Sequence, residues 1–100
     1  MKETNQRPML CSGMLVKHFK RELLTDEELR REPNKYLYKI VGTARHTETG
    51  EELMIYTPLY NTDCVSGVNY VARPLKMFYS EVDHTKYPNI KQRYRFEELK

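Results

Sequence analysis

Two neighbouring segments of the chain are complementary when they are paired as the two strands of a hairpin. They are YLYKIVGTAR at 36–45 and ELMIYT at 52–57, both rich in aromatic and β-branched residues. Between them, Gly50 can supply the positive φ of a tight turn. With a loop over residues 47–50, Arg45 faces Glu52 and apolar residues face each other, ending with Val41 opposite Tyr56. The pattern predicts an antiparallel hairpin.

Further short segments read as strands or turns around this hairpin. The strand candidates are 14–19, 68–73, 94–99 and, as a short piece, 79–82. Segments 61–67 and 83–89 are loops by composition, and 75–78 is a single turn with Leu75, Met77 and Phe78 directed into the core. We therefore predict a mostly β fold of five or six short strands with one inserted helix. It is either a small compact barrel or a strongly bent antiparallel sheet, since both limit exposed edges.

The inserted helix has a clear start and stop. Thr25 and Glu28 have the spacing of a capping box, and Leu24 and Leu29 that of a hydrophobic staple. Pro33 then ends the helix. About two turns cannot be stable alone. We expect the helix to rest on the body of the protein through its leucines (Leu23, Leu24, Leu29).

Length and composition limit the chain to one small domain. It has 100 residues, 39% of them hydrophobic, and a net charge of +3. We assign residues 1–12 to a flexible N-terminal arm and 13–100 to a single β-barrel-like domain. No apolar run approaches the length of a membrane span, so we expect no membrane association. Cys11 and Cys64 form no disulfide framework; we read them as free thiols in a reducing cytoplasm.

Several strings carry a resemblance over nearly the whole chain. They are KHFK at 17–20, ARHTETGEE at 44–52, IYTPLY at 55–60, ARPLKMF at 72–78 and RF at 95–96. In order and spacing they resemble a bacterial family, domain of unknown function 1653. The resemblance implies a small, mostly β, SH3-like domain and no particular activity. The chain departs from the family in its extra segment 21–35, and in reading YVA at 70–72 where the family often has Trp.

One candidate site combines two arginines with a histidine. Arg45 and Arg73 lie at predicted strand ends, and their guanidinium groups could converge on a phosphate or carboxylate. His46 beside them could serve in acid–base chemistry. The alternative is structural, with Arg45 paired to Glu52 and His46 to Glu51 across the turn. Tyr residues such as Tyr56 and Tyr60, on neighbouring strands or their ends, could form a cage or stacking platform, or simply fill the core.

A second candidate site lies near the C-terminus. There, basic and aromatic residues alternate: Lys91, Arg93, Tyr94 and Arg95 are followed by Phe96. Such alternation is typical of single-stranded nucleic-acid binding. A strand with one buried face and solvated charges gives the same pattern, and then Phe96 belongs to the core.

No pattern in the chain indicates catalysis with a bound cofactor. The His and Cys residues do not have zinc-ligand spacings, and no phosphate-binding glycine motif is present. We expect no metal and no cofactor. The sequence favours a non-catalytic binding module whose partner is a small molecule or a macromolecule. The alternatives are an enzyme or binder acting on an anionic small molecule through Arg45, His46 and Arg73, and a nucleic-acid-binding protein.

Overall fold

The computed structural model describes residues 9–60 and 69–99, which contain five strands and two short helices. The strands are β1 (Leu15–His18), β2 (Leu37–Arg45), β3 (Glu52–Pro58), β4 (Val71–Pro74) and β5 (Phe96–Glu98). The helices are α1 (Asp26–Arg31) and α2 (Leu75–Phe78), and a 3₁₀ turn covers Phe19–Leu23. The predicted mostly β fold is confirmed.

All described strand pairings are antiparallel, and the strands form one sheet in the order β4-β3-β2-β1-β5. The two outer strands, β4 and β5, do not pair with each other within the described residues, so the sheet is open. Of the two predicted architectures, the structure corresponds to the bent sheet and not to a closed barrel. The predicted strand at 79–82 is reduced to one isolated bridge between Glu81 and Tyr94.

The β2–β3 hairpin has the predicted register near its turn. Arg45 lies opposite Glu52, and the pairing continues as predicted to Gly42 opposite Ile55. The last predicted pair, Val41 with Tyr56, is wrong, because Ile40 takes that place and Val41 forms a bulge. The bulge lets Ile40 lie buried on the inner face, while Val41 stays 37% exposed. Burial of the larger apolar side chain therefore sets the register beyond Gly42.

The core lies on the inner face of the sheet, where α2 closes over it. Phe78 of α2 stacks on Phe96 of β5, with ring centroids 4.1 Å apart and planes 7° from parallel. Both rings are fully buried, and Leu75 packs against the same cluster. Met77 was expected in the core but is 45% exposed, because on so short a helix it lies on the opposite side. A second, smaller cluster contains Phe19, Val82 and Ile90.

Helix α1 begins and ends where the sequence predicts. The Thr25 hydroxyl accepts from the Glu28 amide at 3.1 Å, and the Glu28 carboxylate accepts from the Thr25 amide at 2.8 Å. These backbone and side-chain bonds to Thr25 lower the pKa of Glu28 below its usual value. The expected leucine contacts are weaker than predicted, since α1 buries no residue fully and Leu23 is 56% exposed. The helix is peripheral.

Part of the predicted arm and one predicted loop lie outside the described residues. These are 1–8 and 61–67, together with Cys64. Within the described part, Leu10 is buried in the main core, and its amide donates to the Tyr79 hydroxyl at 3.2 Å. Cys11 is exposed with a free thiol. No helix among the described residues has the length and apolar character needed to cross a bilayer.

Candidate functional site

Aromatic rings from β2, β3 and β5 meet on the inner face of the sheet. Strand residues alternate between faces, so Tyr38 and Tyr56 lie on the same side as Phe96. The ring centroids of Tyr38 and Tyr56 are 5.3 Å apart, and that of Phe96 lies 5.8 Å and 5.5 Å from them. All three meet at steep angles, the edge-to-face packing that aromatic pairs prefer.

Tyr60 joins this cluster from the segment that follows β3. Its hydroxyl shares a 2.8 Å hydrogen bond with the Tyr38 hydroxyl. Burial raises the pKa of Tyr38 above its ordinary value, and the bond to Tyr60 raises it further. The Tyr38 phenol therefore stays protonated at physiological pH and is held in place by the bond to Tyr60.

Arg73 lies over the aromatic cluster. Arg73 is on β4 and pairs with the buried Met54 of β3, so its side chain projects from the inner face of the sheet. Its Nε donates to the Tyr56 hydroxyl at 3.1 Å, and its guanidinium carbon lies 5.6 Å from the Phe96 ring centroid. Among the residues that the structure describes, Arg73 has no carboxylate partner. The guanidinium is thus held in place by Tyr56 and Phe96, and no carboxylate in the described part of the chain neutralises its charge.

His18 is buried beside the same aromatic cluster. His18 on β1 pairs with Phe96 on β5, and their ring centroids are 4.9 Å apart. The histidine is 8% exposed. Nδ1 accepts a 3.1 Å bond from the Lys20 amide. Burial lowers the pKa of His18 to about 4, with further lowering by the positive charges of Arg73, Lys20 and Arg95. At neutral pH the imidazole is uncharged.

Arg95 reaches this region from the segment before β5. Its charge acts on His18, and its Nε is buried without a hydrogen-bond partner among the described residues. A buried donor without an acceptor is unfavourable by itself. The side chains joined by the ring contacts and hydrogen bonds above form what we call the arginine–aromatic face: His18, Tyr38, Tyr56, Tyr60, Arg73 and Phe96. Arg95 adds its charge close to His18.

Arg45 and His46 lie elsewhere, at the end of the β2–β3 hairpin. Arg45 donates from Nη1 to the Gly50 carbonyl at 3.2 Å. The exposed His46 ring accepts at Nδ1 from the amides of Glu48 and Thr49, at 3.1 and 3.3 Å. The structure therefore uses His46 to close its own turn. Its backbone pairs with that of Glu51, since the His46 amide donates to the Glu51 carbonyl at 2.8 Å.

A cavity of about 760 Å³ separates this hairpin end from α2. Arg45 lines it, whereas Arg73 and His46 do not. Its walls also carry acidic and basic side chains, including Glu52 and Lys76. Arg73 is thus bonded to Tyr56, whereas the side-chain hydrogen bonds described for Arg45 and His46 stay within their own hairpin end.

The C-terminal candidates do not form one continuous array. The exposed Arg93 forms an ion pair with Glu81 at 3.3 Å and lies 5.1 Å from the Tyr94 ring centroid. The Lys91 amide donates to a carboxylate oxygen of Glu22 at 2.8 Å. Arg95 instead acts through its charge on the buried His18.

Two contributors to this region were not singled out from the sequence as parts of the site. In the sequence, His18 was considered only as a possible zinc ligand. Its place two residues after the buried Val16 nevertheless puts it on the inner face. Lys35 lies with its ammonium 5.5 Å from the Tyr36 ring centroid and 5.2 Å from that of Tyr60. Tyr36 itself has a φ of 65°, which the strand pattern of the sequence does not indicate.

Comparison with protein families finds the same family that the sequence strings resemble. Residues 14–98 match the family described as a protein of unknown function (DUF1653). The chain belongs to the DUF1653 family. Among curated proteins and among solved structures, none matches the chain. Within the described residues of this DUF1653 member, no group of three His, Cys, Asp or Glu side chains could hold a metal ion.

Proposed function

We propose that this DUF1653 chain is a non-catalytic binding module that holds an anionic group on its arginine–aromatic face. The observation that supports this most directly is the position of Arg73. Its guanidinium is fixed by the Tyr56 hydroxyl and the face of Phe96, with no ion pair among the described residues. A half-buried guanidinium without a counter-charge favours a carboxylate or phosphate, which it can bind with two parallel hydrogen bonds.

Arg95 and His18 support the same ligand charge. The buried Nε of Arg95 is without an acceptor in the described chain. The ionised side chains that lower the pKa of His18 are all basic. A positive region over a low-dielectric aromatic floor attracts anions more strongly than the same charges would in water.

The chemistry of the face favours binding over catalysis. A general base at neutral pH works best with a pKa near 7, whereas burial and neighbouring charges lower that of His18 to about 4. Its Nδ1 is already occupied by the Lys20 amide. An enzyme that combined Arg45, His46 and Arg73 would need the first two free to act with the third, whereas Arg45 bonds to the Gly50 carbonyl and His46 closes its own turn. We therefore do not propose it.

The test is a titration with inorganic phosphate followed by two-dimensional NMR, with Arg73→Gln compared to Arg45→Gln. We expect phosphate to shift the signals of Tyr56 and Arg73 in the natural chain. Arg73→Gln should abolish these shifts, while Arg45→Gln, which removes the same charge from the hairpin end, should leave them unchanged.

Circular dichroism of each variant establishes that it is folded. Should Arg73→Gln unfold, Arg73→Lys serves in its place, because it keeps the charge but not the two-point geometry and should weaken phosphate binding. Equal shifts in the Arg73 and Arg45 variants, or no shifts in the natural chain, would refute the proposal.

A further inference from the structure

Beside the arginine–aromatic face lies a lysine whose ammonium covers two tyrosine rings. Lys35 is half-buried, and its Nζ is 5.5 Å from the Tyr36 ring centroid and 5.2 Å from that of Tyr60. Within the described residues it has no carboxylate within ion-pair distance. The charge is therefore stabilised by the negative ring faces, an interaction weaker than a charge-assisted hydrogen bond to an anion.

The backbone is strained where it positions these rings. Tyr36 has a φ of 65°, a left-handed conformation that is unusual for a bulky residue. Its carbonyl accepts from the His18 amide at 2.9 Å, and the preceding Lys35 carbonyl accepts from Arg21 Nη1 at 2.8 Å. Such strain persists only when the surroundings fix it, and it is concentrated at functional sites.

The two rings are continuous with the anion-binding region. Tyr60 is hydrogen-bonded to Tyr38, which contacts Tyr56, and Tyr56 holds Arg73. On the other side, the Tyr36 ring is 5.9 Å from that of His18. Arg73 is thus linked through the buried Tyr38 and Tyr56 to two half-buried aromatic rings and the lysine that covers them.

The Tyr36 and Tyr60 rings meet edge to face, 65° from parallel, so one planar base can stack on only one of them. We propose that the anion is the phosphate of a nucleotide whose base stacks on the Tyr36 ring, with Tyr60 at its edge. This inference rests on the proposed function above. The phosphate is held at Arg73, and Lys35 leaves the rings to contact the phosphate. The face of the Tyr36 ring that Lys35 uncovers then accepts the base, since stacking on aromatic side chains is available to every base. The nucleotide can be free or part of a single strand.

The test compares inorganic phosphate, adenosine, adenosine 5′-monophosphate and a short oligoadenylate, each titrated into the full chain. We expect adenosine monophosphate to bind about five-fold or more tightly than phosphate, which is the lower limit for stacking one base. If the source is a strand, oligoadenylate binds more tightly still and its affinity falls steeply with salt. If the source is a free nucleotide, oligoadenylate has no advantage over the monophosphate.

Tyr36→Gly is the decisive variant, because glycine suits the φ of 65° and only the ring is lost. We expect it to reduce the affinity for adenosine monophosphate to that for phosphate, with phosphate binding itself unchanged. Lys35→Ala should increase the affinity for adenosine, which has no phosphate to draw the lysine away. Lys86→Ala is the matched control, since Lys86 lies 5.5 Å from the Tyr87 ring centroid outside the face.

The outcomes separate this inference from the proposed function. If phosphate binds at Arg73 but the nucleotide binds no more tightly, the nucleotide inference is overturned and the anion site stands. If nucleotide binding is tighter but unaffected by Tyr36→Gly and Lys35→Ala, the base does not stack on the Tyr36 ring and the inference is again overturned. If neither phosphate nor nucleotide binds, both proposals fail.

Discussion

The Tyr56 hydroxyl accepts a 3.1 Å hydrogen bond from Arg73 Nε and so joins the floor of the arginine–aromatic face to its principal charge. Tyr56 is buried on β3, and Arg73 is half-buried on the neighbouring strand β4. The bond crosses between two strands of one rigid sheet. Arg73 is consequently positioned before any ligand arrives, which reduces the entropy lost on binding.

Tyr56→Phe should weaken phosphate binding without unfolding the chain. The ring and its packing remain, but Arg73 loses the acceptor that orients it, and we expect the affinity to fall about three- to ten-fold. Loss of one buried hydrogen bond should also reduce the free energy of unfolding by about 1 kcal/mol. Phosphate titration and urea denaturation measure the two effects. Tyr79→Phe, which removes a hydroxyl bonded to the Leu10 amide, should affect stability alone.

Stability should decrease as the pH falls from about 6.5 towards 4, owing to His18. In the unfolded chain the imidazole takes up a proton near its ordinary pKa of 6.5, whereas in the folded chain the pKa is about 4. Between these values the unfolded state binds more protons, so stability is fully present above 6.5 and is lost progressively as the pH falls to about 4. Thermal denaturation across this range measures it.

The His18 contribution can be separated from that of titrating carboxylates by comparison of variants. In His18→Asn the asparagine oxygen can replace Nδ1 as acceptor for the Lys20 amide, and the variant should have a shallower pH dependence between 6.5 and 4. His84→Gln changes an exposed histidine and should keep the natural slope. Identical slopes in all three chains would mean that His18 is not desolvated as the structure places it.

Phe96→Ala should destabilise the fold by about 3–5 kcal/mol, because it removes a fully buried ring that stacks on Phe78. Arg93→Ala, three residues earlier, removes an exposed ion pair with Glu81 and should cost at most about 0.5 kcal/mol. Chemical denaturation of both variants measures the difference. A small effect of Phe96→Ala would show that the ring is available to a ligand.

Thr25→Ala should reduce the free energy of unfolding by about 1 kcal/mol and leave the sheet intact. It removes the hydroxyl that accepts from the Glu28 amide, on a helix that buries no residue fully. Thr85→Ala is the control, because Thr85 is exposed and only its amide, which the substitution keeps, takes part in a described hydrogen bond. Urea midpoints of the two variants suffice. Complete unfolding of Thr25→Ala would mean that α1 is central to the fold.

The sequence by itself determined the elements whose physical cause is local. The capping box of α1 depends on two residues three positions apart, Thr25 and Glu28. The hairpin register near Arg45 and Glu52 depends on alternation over a few residues on either side of one turn. Membership of the DUF1653 family likewise followed from strings that could be read along the chain.

Only the tertiary structure decided the bulge, the open sheet and the site. Val41 leaves the ladder because Ile40 is buried better, which depends on the whole inner face. Tyr56, Tyr60 and Arg73 were candidates from the sequence. The sequence alone could not decide whether they lie in one site with Arg45 and His46. β1 and β5 pair across almost the full chain and place His18 beside Phe96, and the bend of the sheet brings Arg73 from the opposite edge over the same Phe96 ring. Desolvation and charge act through space, so a cluster built from such distant residues leaves no local pattern in the sequence.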